Sequence, residues 1–197
     1  MNNIKGFEPE VGNVPRILIL GTMPGEKSLQ KQEECNKQKI NDGMAYYANP
    51  SNRFWKIIEI VVNNGEPLES DSKKRECLHN NGIALWDVLA SCNRVKSADK
   101  NIEDPFLNKF ATFLNKHQTI SHIIFNGKKA KRYFDQHNLL NKVERRITLT
   151  VVPSSSGNNR NNRWKDTTTG DVIILKSETD KIALWKKALE SALRVED

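Results

Sequence analysis

Two carboxamides and a run of small hydroxyls are the groups in this chain best suited to chemistry. Asn52 closes Asn49-Pro50-Ser51-Asn52, directly ahead of Arg53-Phe54-Trp55. An Asn side chain accepts through its oxygen and donates twice through its NH2. The plain use of such a residue is to start a helix, which its position also suits. Asn126 ends the run His122-Ile123-Ile124-Phe125, where another apolar residue is expected. Its two donors and one acceptor can pair with the edge of a base. An Asn-Gly turn is the plain reading there, but a helix is expected after Gly127, which weakens it. Further on come Ser154-Ser155-Ser156-Gly157, then Asn158, Arg160, Arg163, Trp164 and Lys165. Small hydroxyls and a glycine let backbone N–H groups approach a phosphate closely. Three cations with no acid across 154–165 suit a polyanion. A serine nucleophile is disfavoured, since no histidine–acid pair is placed for it and the pattern is not a nucleophile elbow.

The thiols and imidazoles point away from metals. Cys35, Cys77 and Cys92 are widely spaced, contain no C-x-x-C pair and are one short of a four-cysteine cluster. His79, His117, His122 and His137 form no close pair. No metal and no cofactor is expected.

These groups need a scaffold, and the hydrophobic pattern supplies one. Arg16–Leu20, Gly82–Val88, His122–Asn126 and Ile147–Val152 read as strands. Helices are expected over about Gln30–Ile40, from Phe54, over Leu107–Lys116, over Lys128–His137 and over Glu178–Arg194. Phe54, Trp55, Trp86 and Trp185 are placed in the core. Strands separated by helices imply an α/β fold of three layers: a mainly parallel sheet of about four strands with helices on both faces. Ligands bind beyond the carboxyl ends of such strands, which selects loops 21–25, 86–94, 126–129 and 153–160. The chain has 197 residues, a formal charge of +7, 37% hydrophobic and 28% charged residues. We expect one domain over 1–197 with a polar insert at about 30–42. No apolar run approaches the ~18 residues a membrane span needs, and no signal peptide is evident. The expected location is cytoplasmic, nucleoid-associated if the source is prokaryotic.

Four segments in order are Gly21-Thr22-Met23-Pro24-Gly25, Tyr46-Tyr47-Ala48-Asn49-Pro50-Ser51-Asn52-Arg53-Phe54-Trp55, Phe125-Asn126-Gly127 and Val152-Pro153-Ser154-Ser155-Ser156-Gly157. Together they resemble the uracil-DNA glycosylase superfamily. The N-P-S-N-R-F-W stretch resembles the mismatch-specific branch. With Gly82-Ile83-Ala84-Leu85-Trp86-Asp87-Val88 and Asn126-Gly127-Lys128-Lys129-Ala130, the set is most similar to the hypoxanthine-DNA (deoxyinosine) branch. The resemblance implies a uracil-DNA glycosylase-like fold and a monofunctional DNA glycosylase that removes a deaminated base, most of all hypoxanthine, in base excision repair. It implies Asn52 as the catalytic group, Asn126, Tyr47, Thr22 and Met23 around the base, and Tyr47 as the stacking ring. It implies Ser154, Ser155, Ser156, Gly157, Asn158, Arg160, Arg163 and Lys128 on the DNA. The partner would be double- or single-stranded DNA carrying such a base, and the protein a monomer.

Three departures stand out. Met23 occupies the position where many members carry Asp, Glu or Asn, and a thioether cannot polarise water. Gly25 stands where the hypoxanthine branch has a serine. The 30–42 insert is longer than expected. Two alternatives therefore stay open: a uracil or G·T/G·U mismatch glycosylase, and a non-catalytic nucleic-acid-binding module of the same fold. No Schiff-base lysine lies in the site loops, and Lys128 and Lys129 suit phosphates.

Overall fold

A computed structural model describes residues 2–40, 43–94, 102–137, 139–157, 163–166 and 169–194. In chain order its elements are β1 (Asn2–Lys5), β2 (Ile17–Gly21), α1 (Glu26–Gln38), α2 (Phe54–Val61), α3 (Asp71–Asn80), β3 (Ile83–Asp87), β4 (Leu89–Arg94), β5 (Ile102–Leu107), α4 (Phe110–Lys116), β6 (His122–Asn126), α5 (Lys128–Gln136), β7 (Thr148–Val152), β8 (Arg163–Lys165), β9 (Val172–Ile174) and α6 (Glu178–Leu193).

The centre is a four-stranded parallel sheet in the order β3-β2-β6-β7. Alternation along each strand sends successive side chains to opposite faces. Ile17, Ile19, Ile83, Leu85 and Ile124 meet Phe54 and Ile58 of α2, Leu78 of α3, and Trp185 and Leu189 of α6. Leu18, Leu20, Ala84, Trp86, Ile123 and Phe125 meet Phe110 and Phe113 of α4 and Phe134 of α5. Both faces of β2 and β3 are thus buried, which is why those strands read as continuous apolar runs. This is the three-layer α/β arrangement expected from the sequence. Among the described residues no helix is long and apolar enough to cross a membrane.

Several elements differ from expectation. The polar segment after Gly25 is helical from Glu26 rather than from Gln30. Its Lys31 bonds Asp71 at the start of α3 (2.7 Å), and its Cys35 is buried against Gly43; Asn41 and Asp42 lie outside the described residues. The helix expected from Leu107 begins at Phe110, because Ile102–Leu107 instead pairs as β5 with β4. A second sheet, antiparallel in the order β1-β4-β5, thereby occupies a region read as a loop. The antiparallel β8–β9 hairpin was not expected either.

Candidate active site

Parallel strands bring their carboxyl ends to one edge. Gly21 is in register with Asp87, and Asn126 with Val152. The chain leaving β7 is then fastened at four points. Trp185 Nε1 donates to the Pro153 carbonyl (2.8 Å) from inside the core. Asn126 Nδ2 donates to Ser155 Oγ (2.8 Å), and the Ser155 N–H donates to Asn126 Oδ1 (2.8 Å). The Arg53 N–H donates to the Ser155 carbonyl (2.8 Å). Finally, a Cβ on Gly157 would stand 2.3 Å from the Ser51 carbonyl oxygen, so only glycine allows this approach. Ser155 is buried and joins the end of β6 to the start of α2.

Asn52 is half-buried one residue from that junction. Its Oδ1 accepts from the Phe54 N–H at 3.0 Å, holding the first turn of α2. The helix-start use of this residue is therefore real, and it occupies one oxygen lone pair and leaves the other, with the NH2, unassigned.

Two cavities flank the serine loop. One, of about 210 Å³, is walled by Thr22, Asn126, Lys128, Ser154, Arg163 and Trp164 among others. Lys128 is exposed at the start of α5, after Gly127 at φ 102°, and its ammonium lies 4.8 Å from the centre of the Trp164 ring. No carboxylate lines this cavity among the described residues. The other cavity, of about 390 Å³, is walled by Ser51, Arg53, Ser155, Gly157, Ser177 and Trp185 among others. Arg53 is paired there with Glu178 (3.2 Å), both about half exposed. Ser154 and Ser155 are the partition, Ser154 facing both spaces. Asn126, Thr22, Ser154, Lys128 and Arg163 thus share one cavity. Asn52 lines neither cavity; it is tied to the Asn126 side through the next residue, Arg53, whose N–H donates to the Ser155 carbonyl.

Met23 packs into the core cluster with Trp86 and Val88. Tyr47 adopts φ 55° and stacks one ring face on Phe54, centroids 4.0 Å apart and planes 25° apart. Its hydroxyl is sealed, beside Gly21 and the buried Asp87: a Cβ on Gly21 would lie 3.1 Å from the hydroxyl and 2.3 Å from Asp87 Oδ1. Burial, with the Asp87 charge second, pushes the Tyr47 phenol well above its ordinary range, against the opposing pull of the Asn126 carboxamide. Asn158 and Arg160 lie outside the described residues.

Arg94 was missed in the sequence. It is buried at the end of β4 and donates to the carbonyl of Pro24, so it holds the loop after β2. The available signal was a cation standing where loop 86–94 should have stayed solvated. The closeness of Asp87 to the Tyr47 hydroxyl beside Gly21 gave no signal, since 40 residues separate the two.

A parallel sheet covered on both faces, with a polar cleft at its strand ends and cations at the rim, defines the chain as a three-layer α/β protein with its candidate site at the carboxyl ends of the strands. The profile of the uracil DNA glycosylase superfamily matches residues 9–188, and the chain belongs to that superfamily. Two proteins named hypoxanthine DNA glycosylase are similar over 158 residues, 79% of this chain and 88% of theirs. That of Methanosarcina barkeri is 32% identical and that of Methanosarcina acetivorans 34%. A solution structure of a candidate uracil DNA glycosylase from Methanosarcina acetivorans superposes with a TM-score of 0.70 at 28% identity, covering 98% of this chain and all of that one.

Proposed function

We propose that this protein is a monofunctional DNA glycosylase that hydrolyses the N-glycosidic bond of a deaminated base, hypoxanthine before uracil. The observation that carries the reading is the neutral seam Asn126–Ser155–Arg53 at the strand ends, beside a cavity with cations and no carboxylate on its described wall. Such a cavity accepts an everted nucleotide without placing an acid against the phosphates. The names of the Methanosarcina relatives favour hypoxanthine as the base.

In this reading the C1′–N9 bond breaks and its electron pair departs with the purine. A water oxygen bonds C1′, and the proton it sheds ends on the base or in solvent. The sugar acquires oxocarbenium character, which flanking phosphates stabilise, and preplaced dipoles replace a strong base. Asn52 orients the water through the oxygen lone pair that Phe54 does not use. Asn126 faces the base edge with the donor and acceptor capacity left after Ser155. Lys128, Arg163 and the serine loop hold the backbone.

Purified protein is incubated with oligonucleotides carrying hypoxanthine, uracil, xanthine or a G·T pair, and alkali-labile sites are mapped. Hypoxanthine is expected to be released fastest, with no strand cleavage before alkali. Faster uracil release would reassign the base. Tight, salt-dependent DNA binding with no base released from any lesion would leave a binding module instead.

A further inference from the structure

The chain holds three Asn-Gly pairs: Asn64-Gly65, Asn81-Gly82 and Asn126-Gly127. This dipeptide is unusually prone to modify itself, because a glycine without a Cβ lets its backbone nitrogen reach the preceding side chain. That nitrogen, once its proton has passed to a base in solvent, bonds Cγ of the asparagine. The Cγ–Nδ2 bond breaks, ammonia leaves with a proton from solvent, and a cyclic imide remains. Water opens the imide to aspartate or isoaspartate, the latter with the main chain rerouted through Cβ.

The third pair stands in the candidate site, and the fold requires both of its members. Gly127 has φ 102°, and a Cβ there would stand 3.1 Å from Ser154 Cβ, so any side chain at 127 is strained. Asn126 supplies the carboxamide on which the serine loop is seated. Each of the three glycines has its N–H hydrogen-bonded: Gly65 to the Glu59 carbonyl (2.8 Å), Gly82 to that of His79 (3.1 Å), and Gly127 to those of Phe125 (2.9 Å) and Val152 (3.0 Å). The carboxamides set the pairs apart. Asn64 is exposed in the turn after α2. Asn81 is half-buried and donates to the Cys77 carbonyl (2.8 Å). Asn126 is buried, and Ser155 engages both ends of its carboxamide, Oδ1 through the N–H and Nδ2 through Oγ. Turning that carboxamide onto the Gly127 nitrogen breaks both bonds.

We propose that Asn126-Gly127 is a latent self-modification site and that Ser155 keeps it closed. Cyclisation there waits for the serine loop to lift off the end of β6, a local opening rarer than the motion of an exposed turn. The same rule ranks the pairs: Asn64 converts first, Asn81 next and Asn126 last. The chemistry is independent of the glycosylase reading, and only its consequence joins the two. Aspartate or isoaspartate at 126 lacks the NH2 that Ser155 Oγ accepts from, and isoaspartate also lengthens the main chain at the strand end.

The test incubates the full chain at mildly alkaline pH and follows each pair by peptide mapping, which resolves asparagine, aspartate and isoaspartate. In the folded wild type, Asn126 is expected to convert at least about tenfold more slowly than Asn64, and in urea the three pairs should come within about threefold of one another, because the unfolded chain shields none of them. Ser155→Ala removes one of the two bonds and should speed conversion at Asn126 by about three- to tenfold, with Asn64 and Asn81 unchanged. Trp185→Phe, which frees the loop at Pro153 without touching Asn126 or Ser155, should speed the same pair alone, and it carries the test if Ser155→Ala is unfolded in thermal melts. Asn126 converting as fast as Asn64 in the folded wild type overturns the proposal. So does an unchanged Asn126 rate in either folded variant, or an equal acceleration at all three pairs in a variant that melts as a folded protein. Base release is scored beside the maps and should fall in step with conversion at 126. Release that survives full conversion would reject the role given to Asn126 in the glycosylase reading and leave the Ser155 guard standing.

Discussion

Ser155 is where three parts of the chain meet, and the meaning of both asparagines turns on it. Its N–H and hydroxyl are taken by Asn126, and its carbonyl by the Arg53 N–H. Asn126→Ala leaves two buried polar groups of Ser155 without partners, which costs about 1–3 kcal/mol. Asn126→Asp can still accept from both, so it should melt closer to wild type while releasing base far more slowly. Equal activity in the Asp variant and wild type would reduce Asn126 to a loop clamp. Asn52 separates by the same logic. Asn52→Ala removes the bond to the Phe54 N–H and about 1 kcal/mol of stability. Its turnover should fall about a hundredfold or more with DNA affinity nearly kept, as expected for a group that acts on the reacting water. Asn52→Asp preserves the helix start, so a large loss of turnover at wild-type stability would isolate the chemistry from the cap. Equal loss of turnover and affinity in Asn52→Ala would count against a catalytic role. The types and loops of these residues were legible in the sequence because Asn126 interrupts an apolar run and Asn52 closes a polar segment directly ahead of the Phe54-Trp55 helix. The Asn126–Ser155 reciprocity was not, since it depends on how the chain leaving β7 folds back.

At the level of elements, the four core strands and the helices α2, α5 and α6 follow from periodicity, because both faces of the sheet are covered. The β1-β4-β5 sheet does not follow. β1 reads Asn-Asn-Ile-Lys, and β5 reads Ile-Glu-Asp-Pro-Phe-Leu with a proline at its middle, so neither carries the alternation of a strand. What joins them is β4, whose register shifts against β5 mark an irregular ladder that no sequence period announces. α6 shows how an element far from the chemistry supports it. Ser177 and Asp180 form a reciprocal cap at its start, and Trp185, 32 residues from Pro153 in sequence, anchors the Pro153 carbonyl. Trp185→Phe keeps most of the ring volume and removes the bond to the Pro153 carbonyl. It should cost about 1–3 kcal/mol and slow base release beyond what the lost stability explains, because the serine loop loses its inner tether. Ser177→Ala should cost about 1 kcal/mol and leave base release unchanged at temperatures where the protein stays folded. Thermal melts beside single-turnover rates distinguish the two.

For the whole molecule, two buried phenols link stability to alkaline pH. Tyr46 is buried and donates to the Glu8 carbonyl at 2.9 Å, a bond its phenolate cannot make. The Tyr47 residue is only half-buried, but its hydroxyl is sealed beside Asp87. In both, burial chiefly, with the Asp87 charge next, raises the pKa above the ordinary value near 10.0. In the unfolded chain these groups lose their protons around pH 10, while the folded protein keeps them. Above that pH the native state binds more protons than the unfolded one, so stability falls as pH rises. Below it both states hold the same protons and the contribution is constant. Urea midpoints are therefore expected to be insensitive to these tyrosines from pH 7 to about 9 and to decline progressively above about 10. Native absorbance at 295 nm should show fewer than three phenols ionising until the protein unfolds, the chain having three tyrosines. Tyr47→Phe keeps the stack on Phe54 and removes one of the two raised groups, so its alkaline decline should be shallower than that of wild type. An identical decline in the two proteins would mean that the Tyr47 hydroxyl is open to solvent rather than sealed beside Gly21 and near Asp87.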